Sequence, residues 1–287
     1  MKIGLVGLGL VGTALAARLK EAGYEVIGLD ARPEACAAFA VAGGLLAASL
    51  PAMAAQTNCV LLAVFDTQGV LDVVEGKDGL AGGTVRSFID CSTGDPNALQ
   101  ALARRLKARG IDFIEAPLSG SSSQIAEGQA TMLLGGEADA IAAHASVLQA
   151  LAAQRLQVGP AGMGARAKLA TNLVLGLNRA ALAEGIVFAE SMGIAPAQFL
   201  QLVLATPARS DAAAIKGPLM VNNEFAPQSR IRQHLKDVNL MLDGARLNGQ
   251  KLPLSETHAA LMRAAVAAGD GDLDNAAIIR QIRRETS

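Results

Sequence analysis

Short apolar runs alternate with segments of helical spacing through the first half of the chain. After an apolar run at the start, further runs cover residues 24–30, 58–65, 87–93, 111–117 and 130–136. Continuous apolar runs of this length are typical of parallel strands that are covered on both faces. Helical patterns lie between them, at residues 32–42, 96–109 and 141–153. The alternation predicts a doubly wound, largely parallel α/β sheet, with its ligand site at the carboxyl ends of the strands.

The strand pattern stops near residue 160. Residues 162–193 form one long helical pattern that is apolar almost all round, which indicates a helix buried in a core or between subunits. Further helical stretches follow, separated by Pro and Gly. We therefore predict two domains, an α/β domain over residues 1–160 and an all-α domain over residues 161–287, joined by the long helix.

A glycine-rich turn follows the first predicted strand directly. Gly7, Gly9 and Gly12 have GxGxxG spacing. The first glycine permits a tight turn, the second lets the backbone approach a pyrophosphate, and the third lets the helix pack on the strand. The helix that follows presents free N–H groups to phosphate. The predicted cofactor contacts in this turn are Gly7, Leu8, Gly9, Leu10, Val11 and Gly12.

The second predicted strand ends in an acid, Asp30. An acid about twenty residues after the glycines bonds the adenosine ribose in dinucleotide-binding domains. A secretory signal peptide and an ordinary buried strand-turn-helix are the alternatives for the first stretch alone, and the second strand with its acid favours a Rossmann-type domain. The carboxylate favours NAD because it repels a 2′-phosphate, whereas Arg32 softens that preference and keeps NADP possible.

Composition narrows the class of protein. The chain is 51% hydrophobic and 18% charged, and 25 Lys and Arg against 26 Asp and Glu leave a net charge of −1. This balance gives no electrostatic reason to expect nucleic acid or an anionic membrane as a partner. The three cysteines lack metal-ligand spacing, so we expect no metal and no disulfide framework. No apolar run reaches the length of uncharged residues that spans a bilayer, and we expect a cytoplasmic protein.

Lys168 is the candidate proton donor and acceptor. It follows the glycine turn at the start of the long helix, and Asn172 lies one turn later on the same face. A lysine among alanines and leucines on a buried helix has its charged form disfavoured, which brings its pKa towards neutral. Asn172 can orient the lysine or a substrate by hydrogen bonds. From the helix alone, an exposed lysine beside an incidental asparagine is the alternative.

Four other segments carry candidate site residues. Ser119, Gly120 and Ser121 offer hydroxyl and backbone N–H groups to a carboxylate, with an ordinary serine-glycine loop as the alternative. Thr93 lies at a strand tip beside the expected nicotinamide, where a plain turn is equally consistent. In LKDVNL, Lys236 precedes Asp237, and an exposed helical ion pair is the alternative there. Val64 and Phe65 end another strand at the ligand edge and are predicted cofactor contacts.

These segments together resemble the β-hydroxyacid dehydrogenase family. GLGLVG, DCST, APLSG, GMGARAKLATN and LKDVNL occur in the order and spacing of its signature segments, over essentially the whole chain. The resemblance implies NAD(P)-dependent oxidation of a small 3-hydroxy acid, or reduction of the corresponding semialdehyde or keto acid. It implies Lys168 as catalytic acid/base assisted by Asn172, carboxylate binding at Ser119 and Gly120, contacts from Thr93, and Lys236 near the nicotinamide. It further implies a homodimer or homotetramer.

The chain departs from the family in its substrate loop. The family usually has two glycines after the serine, whereas Gly120 is followed here by Ser121, Ser122, Ser123 and Gln124. Extra hydroxyl and amide groups suit a more polar acid. Two alternatives to the dehydrogenase remain open, an imine reductase on the same scaffold and a catalytically silent NAD(P)-binding protein. Imine reductases of this scaffold generally replace the lysine, so Lys168 favours the dehydrogenase.

Overall fold

Residues 1–286 are described by a computed structural model, in which the chain forms two units. Unit 1 is Met1–Lys168, and unit 2 begins at Leu169. The predicted division at residues 160/161 precedes the long helix, whereas the observed division lies inside it. The reason is that the first turn of this helix is hydrogen-bonded to the sheet of unit 1 through Glu115.

The sheet of unit 1 is mostly parallel, as predicted. Its strands, in chain order within residues 1–286, are β1 (Lys2–Val6), β2 (Glu25–Leu29), β3 (Leu45–Leu46), β4 (Cys59–Leu62), β5 (Ser87–Asp90), β6 (Asp112–Glu115), β7 (Leu118–Ser119), β8 (Thr131–Gly135) and β9 (Gln154–Gly159). They are ordered β3-β2-β1-β4-β5-β6-β8-β7, with β9 paired to β8. Strands β1 to β6 pair in parallel, and β8 runs antiparallel to β6 and β7. The chain turns back after β6 because only a two-residue strand and a short helix separate β6 from β8.

Four of the eight helices described in unit 1 are capped at their starts by a local side chain. The eight helices are α1 (Leu10–Glu21), α2 (Pro33–Val41), α3 (Leu50–Ala54), α4 (Thr67–Glu75), α5 (Pro96–Lys107), α6 (Ser122–Ala126), α7 (Ala138–Ala143) and α8 (Ala145–Leu151), and the capped ones are α3 to α6. The Asp66 and Asp95 carboxylates accept N–H groups in the first turns of α4 and α5. The single helix predicted over residues 141–153 is wrong. It is two helices, interrupted at His144, whose ring bonds the Ala140 carbonyl and the Ser87 hydroxyl.

Strand β4 shows why the apolar runs are continuous. All four of its residues are buried. Cys59 and Leu61 belong to one hydrophobic cluster, and Val60 and Leu62 belong to another. Successive side chains of a strand point to opposite faces, so the two clusters are the helix layers on the two sides of the sheet.

Unit 2 is helical, as predicted. The long helix α9 (Met163–Ser191) enters it from unit 1, and the later helices are α10 (Pro196–Ala205), α11 (Asp211–Asn222), α12 (Ile231–Leu247), α13 (Pro253–Ala267) and α14 (Ile278–Thr286). Within the described part of this unit, strand pairing is limited to one isolated bridge, between Arg230 and Asp274. A single core cluster includes Ile186, Met220 and Val238.

The burial of α9 differs from the all-round burial that its sequence predicts. Of the helices that the structure describes, α9 alone is long and apolar enough to cross a membrane by length and composition. The core helix of a globular protein passes the same test, and Leu182, Ala183 and Ile186 pack in the unit 2 core. Val174 and Phe188 are exposed in the chain. The helix therefore has one face in the core and apolar side chains on its outside.

Candidate active site

The glycine turn after β1 has the geometry of a phosphate cradle. Gly7 has φ of +97°, and a side chain there would collide with the Ala63 carbonyl. A side chain at Gly12 would collide with the Gly7 carbonyl. A Cβ atom at Gly9, the N-cap residue of α1, would meet only Arg32 within 4 Å, at 3.7 Å. The backbone of this turn is thus open to a pyrophosphate at the start of α1, where helix N–H groups favour anions.

Asp30 joins the end of β2 to this turn. Its Oδ2 accepts a hydrogen bond from the Leu8 N–H at 2.7 Å. Arg32 binds the same carboxylate with two guanidinium nitrogens, Nε to Oδ1 and Nη2 to Oδ2, both at 3.1 Å. Burial raises the pKa of Asp30, but the hydrogen bonds from Arg32 and Leu8 outweigh it and hold that pKa below its ordinary value. The carboxylate at the predicted ribose position is thus ionised, and its charge is paired with an adjacent arginine.

The predicted contacts on β4 and β5 lie at the same carboxyl edge of the sheet. The Val64 N–H donates to the Ser92 hydroxyl at 3.0 Å, and the Ser92 N–H donates to Asp90 Oδ1 at 2.9 Å. These bonds connect the ends of two neighbouring strands and so position Thr93, the next residue. Phe65 is 50% exposed, which leaves its ring at the surface beside this edge.

The serine loop after β7 is organised by its own side chains. Ser121 is the N-cap of α6 in a capping box: its Oγ accepts the Gln124 N–H, and its own N–H donates to Gln124 Oε1 at 2.8 Å. Its hydroxyl also lies 2.9 Å from the Ser123 hydroxyl. At Gly120, a Cβ atom would lie 2.9 Å from Ala130 Cβ. The Ser121 N–H, which we predict to bind a carboxylate, therefore already donates to the amide oxygen of Gln124. A carboxylate oxygen can accept the same N–H in its place.

Glu115, which we did not predict as a site residue, holds the start of α9. It is the last residue of β6 and is 1% exposed. Its carboxylate accepts the N–H groups of Gly162 at 2.5 Å, Gly164 at 3.3 Å and Ala165 at 3.2 Å. Burial raises the pKa of Glu115, and these backbone bonds and nearby Arg166 oppose that rise. In the sequence, the only feature that could have indicated a role for Glu115 is its place beside the predicted substrate loop, in EAPLSG.

Lys168 and Asn172 are buried and lie one turn apart on α9. Lys168 is 7% exposed and Asn172 is 6% exposed. Lys168 is therefore not the exposed lysine of the alternative interpretation. The lysine is the last residue of unit 1, three positions after the last backbone group that Glu115 holds.

In unit 2, Asp237 joins two of the predicted site residues. Its Oδ2 accepts the Asn172 side-chain N–H at 3.1 Å, and its Oδ1 lies 3.0 Å from Lys236 Nζ. The Lys236 and Asp237 side chains are only 15% and 9% exposed, so the pair differs from an exposed helical ion pair. Asp237 follows Lys236 in LKDVNL, but its contact with Asn172 spans 65 positions of the chain. The sequence therefore pointed to the segment without showing this contact.

No group of three or more His, Cys, Asp and Glu that could hold a metal ion occurs among the described residues. The chemical groups that the candidate site does offer are a glycine cradle, an acid at the ribose position, a buried lysine and several hydrogen-bonding side chains. This set of groups defines a dinucleotide-dependent oxidoreductase.

Comparisons with known proteins identify the family. Residues 2–159 match the family model of the NAD binding domain of 6-phosphogluconate dehydrogenase, and residues 162–282 match the one described as NAD-binding of NADP-dependent 3-hydroxyisobutyrate dehydrogenase. L-threonate dehydrogenase of Cupriavidus necator is 31% identical over 97% of this chain and 95% of its own. The chain belongs to the β-hydroxyacid dehydrogenase family, as its ordered motifs predicted, and is an NAD(P)-dependent enzyme that acts on CH–OH groups.

Two further relatives support this assignment along the whole chain. The 2-hydroxy-3-oxopropionate reductase of Escherichia coli is 27% identical over 98% of this chain and 97% of its own. The crystal structure of 3-hydroxyisobutyrate dehydrogenase from Salmonella typhimurium has a TM-score of 0.87 and 27% identity, covering 98% of this chain and 99% of that one. The predicted fold class is thereby confirmed.

Proposed function

We propose that the protein is an NAD-preferring dehydrogenase of a small 3-hydroxy acid, which also reduces the corresponding semialdehyde or keto acid. The observation that carries the proposal is a buried lysine, Lys168, near the start of a helix that is anchored to the ligand edge of the Rossmann-type sheet. Family membership supports it, because the relatives are named as hydroxy-acid dehydrogenases and reductases. Those names favour an alcohol substrate over the imine of the alternative reading.

Each site residue has a part in the proposed reaction. When bound, the nicotinamide supplies the acceptor or donor of hydride. Lys168 Nζ takes the hydroxyl proton during oxidation and returns it during reduction. Asn172, held by Asp237, orients the lysine or the reacting oxygen through its amide. Thr93 contacts the cofactor in this proposal.

The substrate carboxylate binds at the serine loop in this proposal. Ser119 and Gly120 offer the first contacts, and the Ser121 N–H becomes available when Gln124 Oε1 moves away from it. The neighbouring hydroxyls suit an acid that carries additional hydroxyl groups, because buried polar groups favour a ligand that satisfies them. An L-threonate dehydrogenase among the relatives is consistent with such a polyhydroxy acid.

A substrate panel tests the function. The absorbance of reduced nicotinamide would be followed with threonate, 3-hydroxyisobutyrate, tartronate semialdehyde and a cyclic imine, each with NAD(H) and NADP(H). We expect turnover with at least one hydroxy acid or semialdehyde and a preference for the polyhydroxy acids. Turnover of the imine alone would favour the imine reductase, and no turnover together with measurable NADH binding would favour the silent binding protein.

Asp30 sets the proposed preference for NAD. Asp30→Ala removes charged hydrogen bonds to the ribose, so the ratio of kcat/KM for NAD over NADP should fall by about tenfold or more. Arg32→Ala is the matched control, since it removes the partner and leaves the carboxylate, and the ratio should not fall. Steady-state kinetics with both cofactors measures the two variants. An unchanged ratio in Asp30→Ala would refute the assigned role.

We also propose that the chain forms a homodimer or homotetramer. Phe188 and Met192, at the end of α9 and just beyond it, are each 64% exposed, and Val174 is 57% exposed. Exposed apolar side chains along one element favour contact with another protein surface. Light scattering should give a mass of at least twice the chain, and Phe188→Ser should shift it towards the monomer. A monomeric wild-type protein contradicts the proposal.

A further inference from the structure

Glu115 caps a helix, α9, from a distant part of the chain: the first N–H group that it accepts, that of Gly162, lies 47 positions later. Helix caps are usually supplied by the residue next to the helix, and the first N–H groups of a helix otherwise lack partners. Here the carboxylate comes from the carboxyl end of a sheet strand and accepts three of these N–H groups. The start of α9 is therefore fixed to the sheet.

Two glycines leave room for this carboxylate. A Cβ atom at Gly135 would lie 2.5 Å from Glu115 Oε2, and one at Gly164 would lie 2.8 Å from Glu115 Cβ. Real Cβ atoms do not approach other atoms so closely, so a side chain at either position would push the helix away from the strand. The close fit of β6, β8 and α9 thus depends on the glutamate and the two glycines together.

The same carboxylate connects the lysine to the cofactor edge. Lys168 follows Ala165 by three positions and lies on the next helical turn. On the sheet side, Glu115 is the register partner of Asp90 on β5, which accepts the Ser92 N–H immediately before Thr93. Within unit 1, Glu115 therefore links the turn below Lys168 to the strand ends that carry the predicted nicotinamide contacts.

Ionisation of Glu115 is needed for this arrangement. Oε2 accepts from Gly162 and Gly164, while Oε1 accepts from Ala165. A carboxylate has only acceptors, whereas a glutamine presents an N–H group at one of the two positions, where it opposes another N–H. The neighbouring charge of Arg166 on α9 favours the ionised form of this carboxylate.

We propose that Glu115 is a positioning residue for Lys168: its ionised carboxylate sets the place of the lysine relative to the carboxyl edge of the sheet. The proposal rests on the proposed role of Lys168 in turnover. A merely structural cap would change the amount of folded protein, whereas a positioning residue changes the rate of each folded molecule. The two roles are separated by counting sites that bind NADH.

Glu115→Gln tests the proposal. We expect kcat per NADH-binding site to fall by about tenfold to a hundredfold, because a displacement of about 1 Å of a catalytic group costs up to about a hundredfold. The KM for the hydroxy acid and the Kd for NADH should stay unchanged, since the glycine cradle and the serine loop keep their own bonds. Hydrogen exchange of the amides of residues 162–165, measured without substrate, should become faster.

Asp95→Asn is the matched control. Asp95 also caps a helix, α5, but it accepts the Asn97 and Ala98 N–H groups with a single oxygen, Oδ1. An asparagine can replace that oxygen, so kcat per site should stay at the wild-type value.

If Glu115→Gln does not fold, Gly164→Ala takes its place as the test. The added methyl group displaces the start of α9 while the Glu115 carboxylate remains. The same loss of kcat per site is expected.

The outcomes separate this proposal from the proposed function. A wild-type kcat per site in the folded Glu115 variant, or in the Gly164 variant when that one replaces it, overturns the positioning role. Unchanged exchange of amides 162–165 overturns it as well. If the wild-type enzyme turns over no hydroxy acid, the proposed function fails, and faster exchange in Glu115→Gln still shows that the carboxylate fixes the helix start.

Discussion

Replacing Lys168 with alanine should lower turnover by about a hundredfold to ten-thousandfold, the range expected when an enzyme loses its general acid/base. The proton of the substrate hydroxyl then has no positioned acceptor when hydride leaves the carbon. The affinity for NADH should stay close to that of the wild type, because the cradle at Gly7 to Gly12 is formed by the turn between β1 and α1. Steady-state kinetics and a fluorescence titration of NADH measure the two effects.

Two control variants sharpen this experiment. Lys168→Arg keeps the positive charge but cannot release a proton near neutral pH, so it should lose turnover like the alanine variant. Lys77→Ala removes an exposed lysine of unit 1 and should leave turnover unchanged. Near-normal turnover in Lys168→Ala, or full activity in Lys168→Arg, would contradict the assignment of the lysine as acid/base.

Asp274→Asn should strongly lower the free energy of unfolding. The Asp274 side chain is fully buried, and Lys216 Nζ lies 2.9 Å from both of its oxygens. The carboxylate also accepts the N–H groups of Gln228 and Ser229, before α12, and of Ala276. Breaking one side of a buried ion pair leaves the other charge uncompensated, and the expected loss in the free energy of unfolding is about 3–5 kcal/mol.

Neighbouring charges add to this effect. Buried Arg179, whose pKa burial lowers to about 10, interacts favourably with Asp274. Burial also lowers the pKa of Lys216, and Asp274 opposes that shift. Two cations in the unit 2 core therefore depend on this one carboxylate for compensation.

Asp272→Asn provides the comparison for Asp274. Asp272 lies two positions earlier and pairs with Arg232, but its side chain is 70% exposed. Exposed ion pairs contribute little, and the expected change is below about 1 kcal/mol. Urea unfolding curves of both variants against the wild type measure the difference. Equal losses for the two variants would contradict the role of the buried pair.

Local sequence patterns predicted much of the fold and part of the candidate site. The apolar run of β4 was interpretable because both faces of a parallel strand are covered, and the structure buries all four residues. The spacing of Gly7, Gly9 and Gly12 predicted the dinucleotide-binding turn, because this turn requires residues without side chains at set intervals. Lys168 and Asn172 were found because polar residues stand out on an apolar helix. The chemical roles of these residues stay predictions.

Contacts between distant segments could not be predicted from local sequence patterns. The bond between Asn172 and Asp237 and the bonds from Glu115 to the start of α9 join residues that are 65 and 47 to 50 positions apart. No local propensity records such pairs, because their energy arises only when separate elements pack. The break at His144 has the same origin, since its ring bonds Ser87 across 57 positions.

By itself, the sequence determined the class of fold, the dinucleotide cradle and the identity of the family, because periodicity, glycine spacing and motif order are properties of short segments. Only the tertiary structure decided that Glu115 holds the helix of Lys168, that Asp237 joins Asn172 to Lys236, and that Gln124 bonds the Ser121 N–H. Buried polar groups must find partners wherever packing brings them. Their partners therefore depend on the folded arrangement of the chain rather than on neighbours in its sequence.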